Sequence, residues 1–255
     1  MKEVDIVMKV TVITVCFNSE DTIERTIQSV LSQTYSDIEY IICDGKSTDN
    51  TLNIVEKYKD AFNGRLTVIS EQDRGMYDAM NKGIELAQGE LIGIINSDDW
   101  YEPTAVEDTV NAVIECGKRE VITYGIVRYY EDGQEESLHF YRHEFLKKRM
   151  ISHPTCFVSK AVYDKIGRFD LRYRLASDYD FMLRAYQNNV DFVPIYKLIA
   201  DFRFGGASQC AQTGMETLKI KKENGLIMSV DYRRKMLIYK LTAYREMLSS
   251  FGSCR

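Results

Sequence analysis

The chain has 255 residues, a hydrophobic fraction of 45% and a formal net charge of −5. That length suits one large domain or a domain with an appendage; the apolar share supports a sizeable core, and the negative balance argues against nucleic acid as a partner. The six cysteines (Cys16, Cys43, Cys116, Cys156, Cys210 and Cys254) show no metal-ligand or redox spacing, the opening Met-Lys-Glu-Val-Asp lacks the apolar core of a signal peptide, and no apolar run approaches a bilayer span, so a cytoplasmic protein is expected.

Residues 10–16 (Val-Thr-Val-Ile-Thr-Val-Cys) read as a buried strand. Phe17-Asn18-Ser19 breaks it, with Asn18 or Ser19 placed to cap a helix carrying Ile23, Ile27, Val30 and Leu31 through Gln33. Residues 38–43 form a second strand ending at Asp44-Gly45, and Asp49 or Asn50 opens a second helix. Residues 66–69 make a third strand, and residues 77–88 a helix closed by Gly89. A fourth strand follows at 91–95. This alternation predicts a mainly parallel sheet with flanking helices.

The second half is less regular. It suggests a helix at 106–116, strands at 121–130 and 137–141 around the hairpin signal Glu131-Asp132-Gly133-Gln134, and a strand at 155–158. A helix at 178–187 and short strands at 192–195 and 198–202 precede Gly205-Gly206. Residues 213–251 are helical, with a break near Gly225.

The run 90–101 holds the first chemical signal, because its apolar strand stops at two adjacent acids, Asp98 and Asp99. Two readings stand. A hard divalent cation such as Mg²⁺ can offset the paired charge, or Asp99 simply caps a helix opened by Pro103. Open α/β sheets bind ligands beyond their strands' carboxyl ends. Polar clusters follow each of the four strands: Phe17-Asn18, Asp44-Gly45, Glu71-Gln72-Asp73-Arg74-Gly75 and Asp98-Asp99. Each alone is ordinary turn chemistry; four on one edge suggest a site. The chain lacks Gly-x-Gly-x-x-Gly and a Walker lysine, which argues against a dinucleotide dehydrogenase or a P-loop enzyme.

Several segments together resemble the family-2 glycosyltransferases over about the first two hundred residues: Val-Ile-Thr-Val-Cys-Phe-Asn at 12–18, Cys-Asp-Gly-Lys-Ser-Thr-Asp at 43–49, Asp-Arg-Gly-Met-Tyr-Asp-Ala-Met-Asn-Lys-Gly at 73–83 and Asn-Ser-Asp-Asp at 96–99. His153-Pro154, Gly167-Arg168-Phe169-Asp170 and Ala-Ser-Asp-Tyr-Asp at 176–180 complete the set. The resemblance implies a GT-A, Rossmann-like fold with a mainly parallel sheet, a small second sheet and a helical tail. It implies a transferase domain at 1–210, with a nucleotide-binding half at about 8–100 and an acceptor half at about 101–210, and a basic helical extension at 211–255.

By the same resemblance, Asp44 contacts the base of the nucleotide, and Val15 and Phe17 line its pocket. Asp73, Arg74 and Asp78 lie near ribose and donor sugar. Asp98 and Asp99 match the DXD-type motif, with Asp99 the direct Mn²⁺ or Mg²⁺ ligand and Asp98 a sugar or ribose contact. Asp178 matches the catalytic base; its structural alternative is a helix cap. His153 reads equally as a substrate contact or a satisfied core histidine, whereas His139 and His143 read as surface residues. Asp180 and Arg184 read as structural. Gly205-Gly206-Ala207-Ser208 resembles the loop that closes over the site. The implied reaction is inverting transfer from a nucleotide sugar, UDP being the family's commonest nucleotide, to a glycan or lipid-linked acceptor. The alternative is a sugar-nucleotide-binding protein without transfer.

From Met215 onward nine basic residues face four acidic ones, with apolar residues among them. Such a helix can lie on an anionic membrane, which would put the protein at the membrane's inner face; the simpler reading packs it on the domain with a solvated basic face.

Overall fold

The computed structural model describes residues 8–131, 134–204 and 210–252. The Asp132-Gly133 turn and the Gly205-Gly206-Ala207-Ser208 loop lie outside the described residues.

The first strand, β1 (Val10–Cys16), is buried along its whole length. Its β-branched side chains alternate between two cores. Val10 and Val12 join Ile23, Ile27 and Ile42 on one face, while Ile13 and Val15 join Ile41, Met80 and Ile84 on the other. A strand covered on both faces is mostly apolar, and its two threonines are buried with partners, Thr11 donating to Glu39 and Thr14 accepting from the Tyr40 hydroxyl. Helix α1 (Ile23–Leu31) leads to β2 (Ile38–Asp44), α2 (Thr51–Tyr58) to β3 (Leu66–Ser70), and α3 (Met76–Leu86) to β4 (Leu91–Ile94). Pairings β1–β2, β2–β3 and β1–β4 are parallel, so the four strands end on one edge.

The second half extends this same sheet rather than forming another. It comprises β5 (Trp100–Tyr101), α4 (Ala105–Cys116), β6 (Val121–Glu131), β7 (Gln134–His139), β8 (Phe157–Ser159), α5 (Lys160–Ile166), α6 (Ser177–Gln187) and β9 (Asp191–Arg203). The order across the nine strands described is β3-β2-β1-β4-β8-β6-β9-β5, with β7 on β6. Helix α4 starts at Ala105 with Thr104 as its N-cap residue, so Asp99 does not cap it. Instead β5 intervenes and pairs Trp100 with Asp201 of β9. The two short strands expected at 192–202 are one, β9, whose register against β6 shifts around Gly125. A Cβ there would lie 2.3 Å from Ile199 Cγ1, so only glycine lets β9 pass.

The tail is two helices, α7 (Ala211–Glu223) and α8 (Ser229–Gly252), separated at Gly225 with φ of 67°. Helix α7 belongs to the body: Ile220 is fully buried in a cluster with Tyr173, Tyr179 and Leu183. Its Glu216 carboxylate accepts the backbone N–H groups of Leu175 and Ala176, at 2.8 and 3.1 Å, just before α6.

Gly89 does not act as the left-handed cap the sequence suggested; α3 ends at Leu86. Its role is close approach, since a Cβ at Gly89 would fall 2.4 Å from the Thr11 backbone nitrogen. Gly89→Ala should therefore destabilise the fold by about 2 kcal/mol, an overpacking cost, and lower Tm by about 2–4 °C per kcal/mol. A melt unchanged from wild type would show that β1 and the α3–β4 turn can separate freely.

Candidate active site

At the carboxyl edge of β1 and β4 lies a cavity of about 470 Å³. Val15, Cys16 and Phe17 form one wall, and the Phe17 ring is 61% exposed at its mouth. Asp73 enters beside it, with Gly45 wedged between the two: a Cβ there would sit 2.8 Å from Asp73 Oδ2 and 3.4 Å from the Phe17 ring. Gly75 N–H fixes Asp73 Oδ1 at 2.9 Å, and its φ of 119° is open only to glycine. The β4 turn supplies Asn96, Ser97 and Asp98. His153, Pro154, Leu175, Asp178 and Phe202 close the far side.

The structure divides the expected residues. Val15, Phe17, Asp73, Asp98, His153 and Asp178 line the cavity. Asp44, Arg74, Asp78 and Asp99 do not, and each is held elsewhere. Asp44 is 2% exposed; Ser47 N–H and the Ser70 hydroxyl donate to its Oδ2 at 3.0 and 2.6 Å, and the Ser47 hydroxyl donates to Oδ1. These bonds orient its carboxylate in the loop after β2. Arg74 donates to Asp78 Oδ1 at 2.8 Å, and this guanidinium, first among the causes, holds the Asp78 carboxyl below the ordinary range. The pair braces the start of α3.

Asp99 is 1% exposed, with Arg203 N–H donating to its Oδ1 at 3.1 Å and the Asn96 amide to its Oδ2 at 3.4 Å. The direct metal contact expected at Asp99 thus meets a carboxylate turned away from the cavity, tying the β4 turn to β9, while its neighbour Asp98 faces in. Burial raises the Asp98 carboxyl pKa; burial, then the charge of Asp98, raises that of Asp99 well above the ordinary range.

Asp178 is the second residue of α6, so it is not the helix cap; Ala176 is. Its Oδ1 accepts the Tyr77 hydroxyl and the Tyr179 N–H, both at 2.8 Å. Among the described residues nothing donates to Oδ2. Tyr77 is 3% exposed, and burial followed by the adjacent carboxylate raises its pKa well above 10, keeping the hydroxyl a donor. Tyr77 lies in the segment 73–83, but no local pattern marks its partner 101 residues away. Burial lowers the His153 pKa and favours the neutral imidazole, opposed by the charge of Asp178.

A second cavity, of about 300 Å³, lies across the same ridge. His153, Pro154, Leu175, Asp178 and Phe202 line both. The rest of its wall is largely aromatic and apolar, with Tyr129, Tyr141 and Met150, and α7 adds Thr213 and Thr217. His143 is not a surface residue: it stacks on Phe192 at 5.1 Å and lies 2.7 Å from the Tyr124 hydroxyl. His139 is half-buried between Ser137 and Tyr141. Asp180 pairs with Arg184 at 2.8 Å, the structural role their spacing implies.

Charge decides what the first cavity can take. Asp73, Asp98 and Asp178 line it, with no lysine or arginine among its described lining residues. Such a lining suits a polyanion that arrives paired with a cation better than one that arrives alone. Among the described residues no three His, Cys, Asp or Glu side chains form a complete metal cage. The set present, Asp98 and the partnerless buried Asn96 Oδ1 of the same turn, nonetheless fits a hard ion that draws its remaining oxygens from ligand and water.

Residues 11–167 match the model of Glycosyl transferase family 2. A PGL/p-HBAD biosynthesis glycosyltransferase of Mycobacterium bovis is 32% identical over 162 residues; the match covers 64% of this chain and 63% of the relative, just under two thirds of its length. An uncharacterized glycosyltransferase of Mycobacterium tuberculosis is 35% identical over 181 residues, covering 69% and 68%. The Escherichia coli UDP-Glc:alpha-D-GlcNAc-diphosphoundecaprenol beta-1,3-glucosyltransferase WfaP is 34% identical over 122 residues, covering 48% and 46%. Among solved structures, S. aureus TarS in complex with UDP-GlcNAc superposes with a TM-score of 0.67 at 19% identity, covering 91% of this chain and 71% of that one. The mannosyltransferase PcManGT from Pyrobaculum calidifontis, in complex with GDP-Man and Mn²⁺, gives 0.66 at 18%, covering 93% and 69%. These two likenesses establish the GT-A fold.

Proposed function

The chain belongs to glycosyl transferase family 2, and from that membership we propose that it is an inverting glycosyltransferase, moving one sugar from a nucleotide-diphosphate donor to a hydroxyl of a glycan or lipid-linked acceptor. The observation that carries this reading is the position of Asp178. Its carboxylate stands in the wall shared by an acidic cavity and an aromatic one, with Oδ1 fixed and Oδ2 free of described donors. A base between two substrates has this arrangement.

The donor occupies the first cavity. Its base lies against Phe17 and the Val15–Cys16 backbone, its ribose and sugar near Asp73. Asp98, with Asn96 Oδ1, would hold a Mn²⁺ or Mg²⁺ ion, a role moved from Asp99 because Asp98 and not Asp99 lines the cavity. When bound, that cation offsets the negative charge of the diphosphate. The acceptor ring lies among Tyr129, Tyr141 and Phe202, where aromatic faces suit a sugar's C–H groups. Asp178 Oδ2 takes the hydroxyl proton as that oxygen attacks the anomeric carbon. The carbon–oxygen bond to the diphosphate breaks, and the diphosphate leaves with its electron pair. One displacement turns an α-linked donor into a β-linked product. Tyr77 and the Tyr179 N–H keep the carboxylate aimed, a positioning role.

The name of the Escherichia coli relative supports a UDP-sugar and a lipid-diphosphate acceptor. We assign the transfer unit to residues 1–210, donor half about 8–100 and acceptor half about 101–210, and let the extension 211–255 complete the acceptor side through α7. Among the described residues no helix is long and apolar enough to cross a membrane. We place the work at the cytoplasmic face.

Asp178→Asn should lower transfer by about 10²–10⁴-fold and leave donor affinity within about twofold. An equal loss of donor binding by calorimetry would remove Asp178 from the base role. Tyr77→Phe should cut kcat about tenfold with donor KM unchanged, since a bond to a charged acceptor is lost while the ring stays; a rise in KM alone would make Tyr77 a binding residue instead. Mn²⁺ with UDP should raise Tm more than either alone. Asp98→Asn should abolish that synergy and Asp99→Asn retain it. The opposite order returns the metal contact to Asp99.

A further inference from the structure

Helix α8 presents an apolar stripe that nothing described covers. Val230, Leu237, Leu241 and Tyr244 are 76%, 60%, 56% and 57% exposed. At about 100° per residue these four fall in a sector roughly 60° wide, and from Val230 to Tyr244 the stripe runs roughly 21 Å. Apolar residues so exposed on one line call for a partner.

The opposite side of the helix is already used. Tyr232, Met236, Tyr239 and Ala243 are half-buried and share the far face, and the half-buried Asp231 lies to one side of them. The Tyr239 ring packs on Gly214 of α7, where any Cβ would fall 2.3 Å from Cε1. The stripe therefore points away from the domain by construction. The tail is packed on the domain, as the simpler reading of the sequence held, yet its outward face is apolar as well as basic.

Charge identifies the occupant. Arg233 and Lys240 flank the stripe on one side, Arg234 and Arg245 on the other, and all four are exposed. Asp231, by the helical angle, lies off this sector. A second copy of the helix laid along the stripe, parallel or antiparallel, would bring basic rows against basic rows. An anionic lipid surface would instead receive the apolar line into its acyl boundary and both basic rows at its headgroups.

We propose that α8 is an interfacial helix that docks this protein on anionic phospholipid through Val230, Leu237, Leu241 and Tyr244. The inference stands on α8 alone and does not need the transfer reaction. Helix α7, on which α8 packs, also contributes Thr213 and Thr217 to the second cavity. Docking thus holds that cavity near the bilayer surface.

The test is flotation of the full chain with vesicles of phosphatidylcholine alone and of phosphatidylcholine containing about one quarter phosphatidylglycerol. The chain should float with the anionic vesicles only, and binding should decline toward about 0.5 M salt, where the Debye length is short. The triple change Leu237→Gln, Leu241→Gln, Tyr244→Gln should lower partitioning about tenfold or more without moving Tm, since all three side chains are exposed. Arg233→Gln or Arg234→Gln alone should lower it about fivefold. Failure of the wild type to float with either vesicle overturns the proposal, as does flotation of the triple variant at the wild-type level. A wild-type dimer in sedimentation velocity that the triple change disperses, with no vesicle binding, assigns the stripe to a second copy instead.

Discussion

The hydrogen bond from Tyr77 to Asp178 joins the two halves of this protein at the point where their chemistry meets. Tyr77 stands at the start of α3, in the half built from β1 to β4; Asp178 stands at the start of α6, in the half built around β6 and β9. A buried hydroxyl without a partner would be costly, so the tyrosine is satisfied only when the two halves are in register. The carboxylate is in turn restrained from both sides, by the tyrosine and by its own helix. Glu216 of α7 fastens the backbone just before that helix. The position of the Asp178 carboxylate is thus fixed by packing over most of the chain.

Electrostatics explains the other half of the site. Two basic side chains near the cavity are paired elsewhere, Arg74 with Asp78 and Lys82 with Glu71 at 2.8 Å, while Arg203 lies close enough to Asp98 to favour its charged form. What remains facing the cavity is acidic, a poor environment for a diphosphate by itself and a suitable one for a diphosphate with a divalent cation. Asp99 anchors the Asp98 turn to the end of β9. Two neighbouring acids therefore take different roles, one exposed to the ligand space and one holding its partner in place.

Much of this was legible in the sequence, for a physical reason. Strands buried on both faces are rich in apolar, mostly β-branched residues, so β1, β2 and β4 stand out, and the polar residues that end them mark the ligand edge. Which acid at that edge faces inward was not legible. The turn after β4 has neither the period of a strand nor that of a helix, so adjacency alone could not separate Asp98 from Asp99. Nor does anything in the sequence show that Ser47 and Ser70 converge on Asp44. The second cavity draws on residues from Val127 to Thr217, and no local pattern assembles them. Tyr196-Lys197 interrupts the apolar run of β9 and hides its continuity, although the glycine opposite allows the strand to continue.

The central claim is that Asp178 looks across the cleft at the reacting carbon. A crystal structure of the Asp178→Asn protein with Mn²⁺ and an intact UDP-sugar tests it most directly. The account predicts the anomeric carbon roughly 6 Å from the residue 178 side chain, one hydrogen bond plus one attack distance, with the diphosphate and the ion at Asp98. A donor whose anomeric carbon faces away from residue 178, or whose diphosphate lies apart from Asp98, would contradict it.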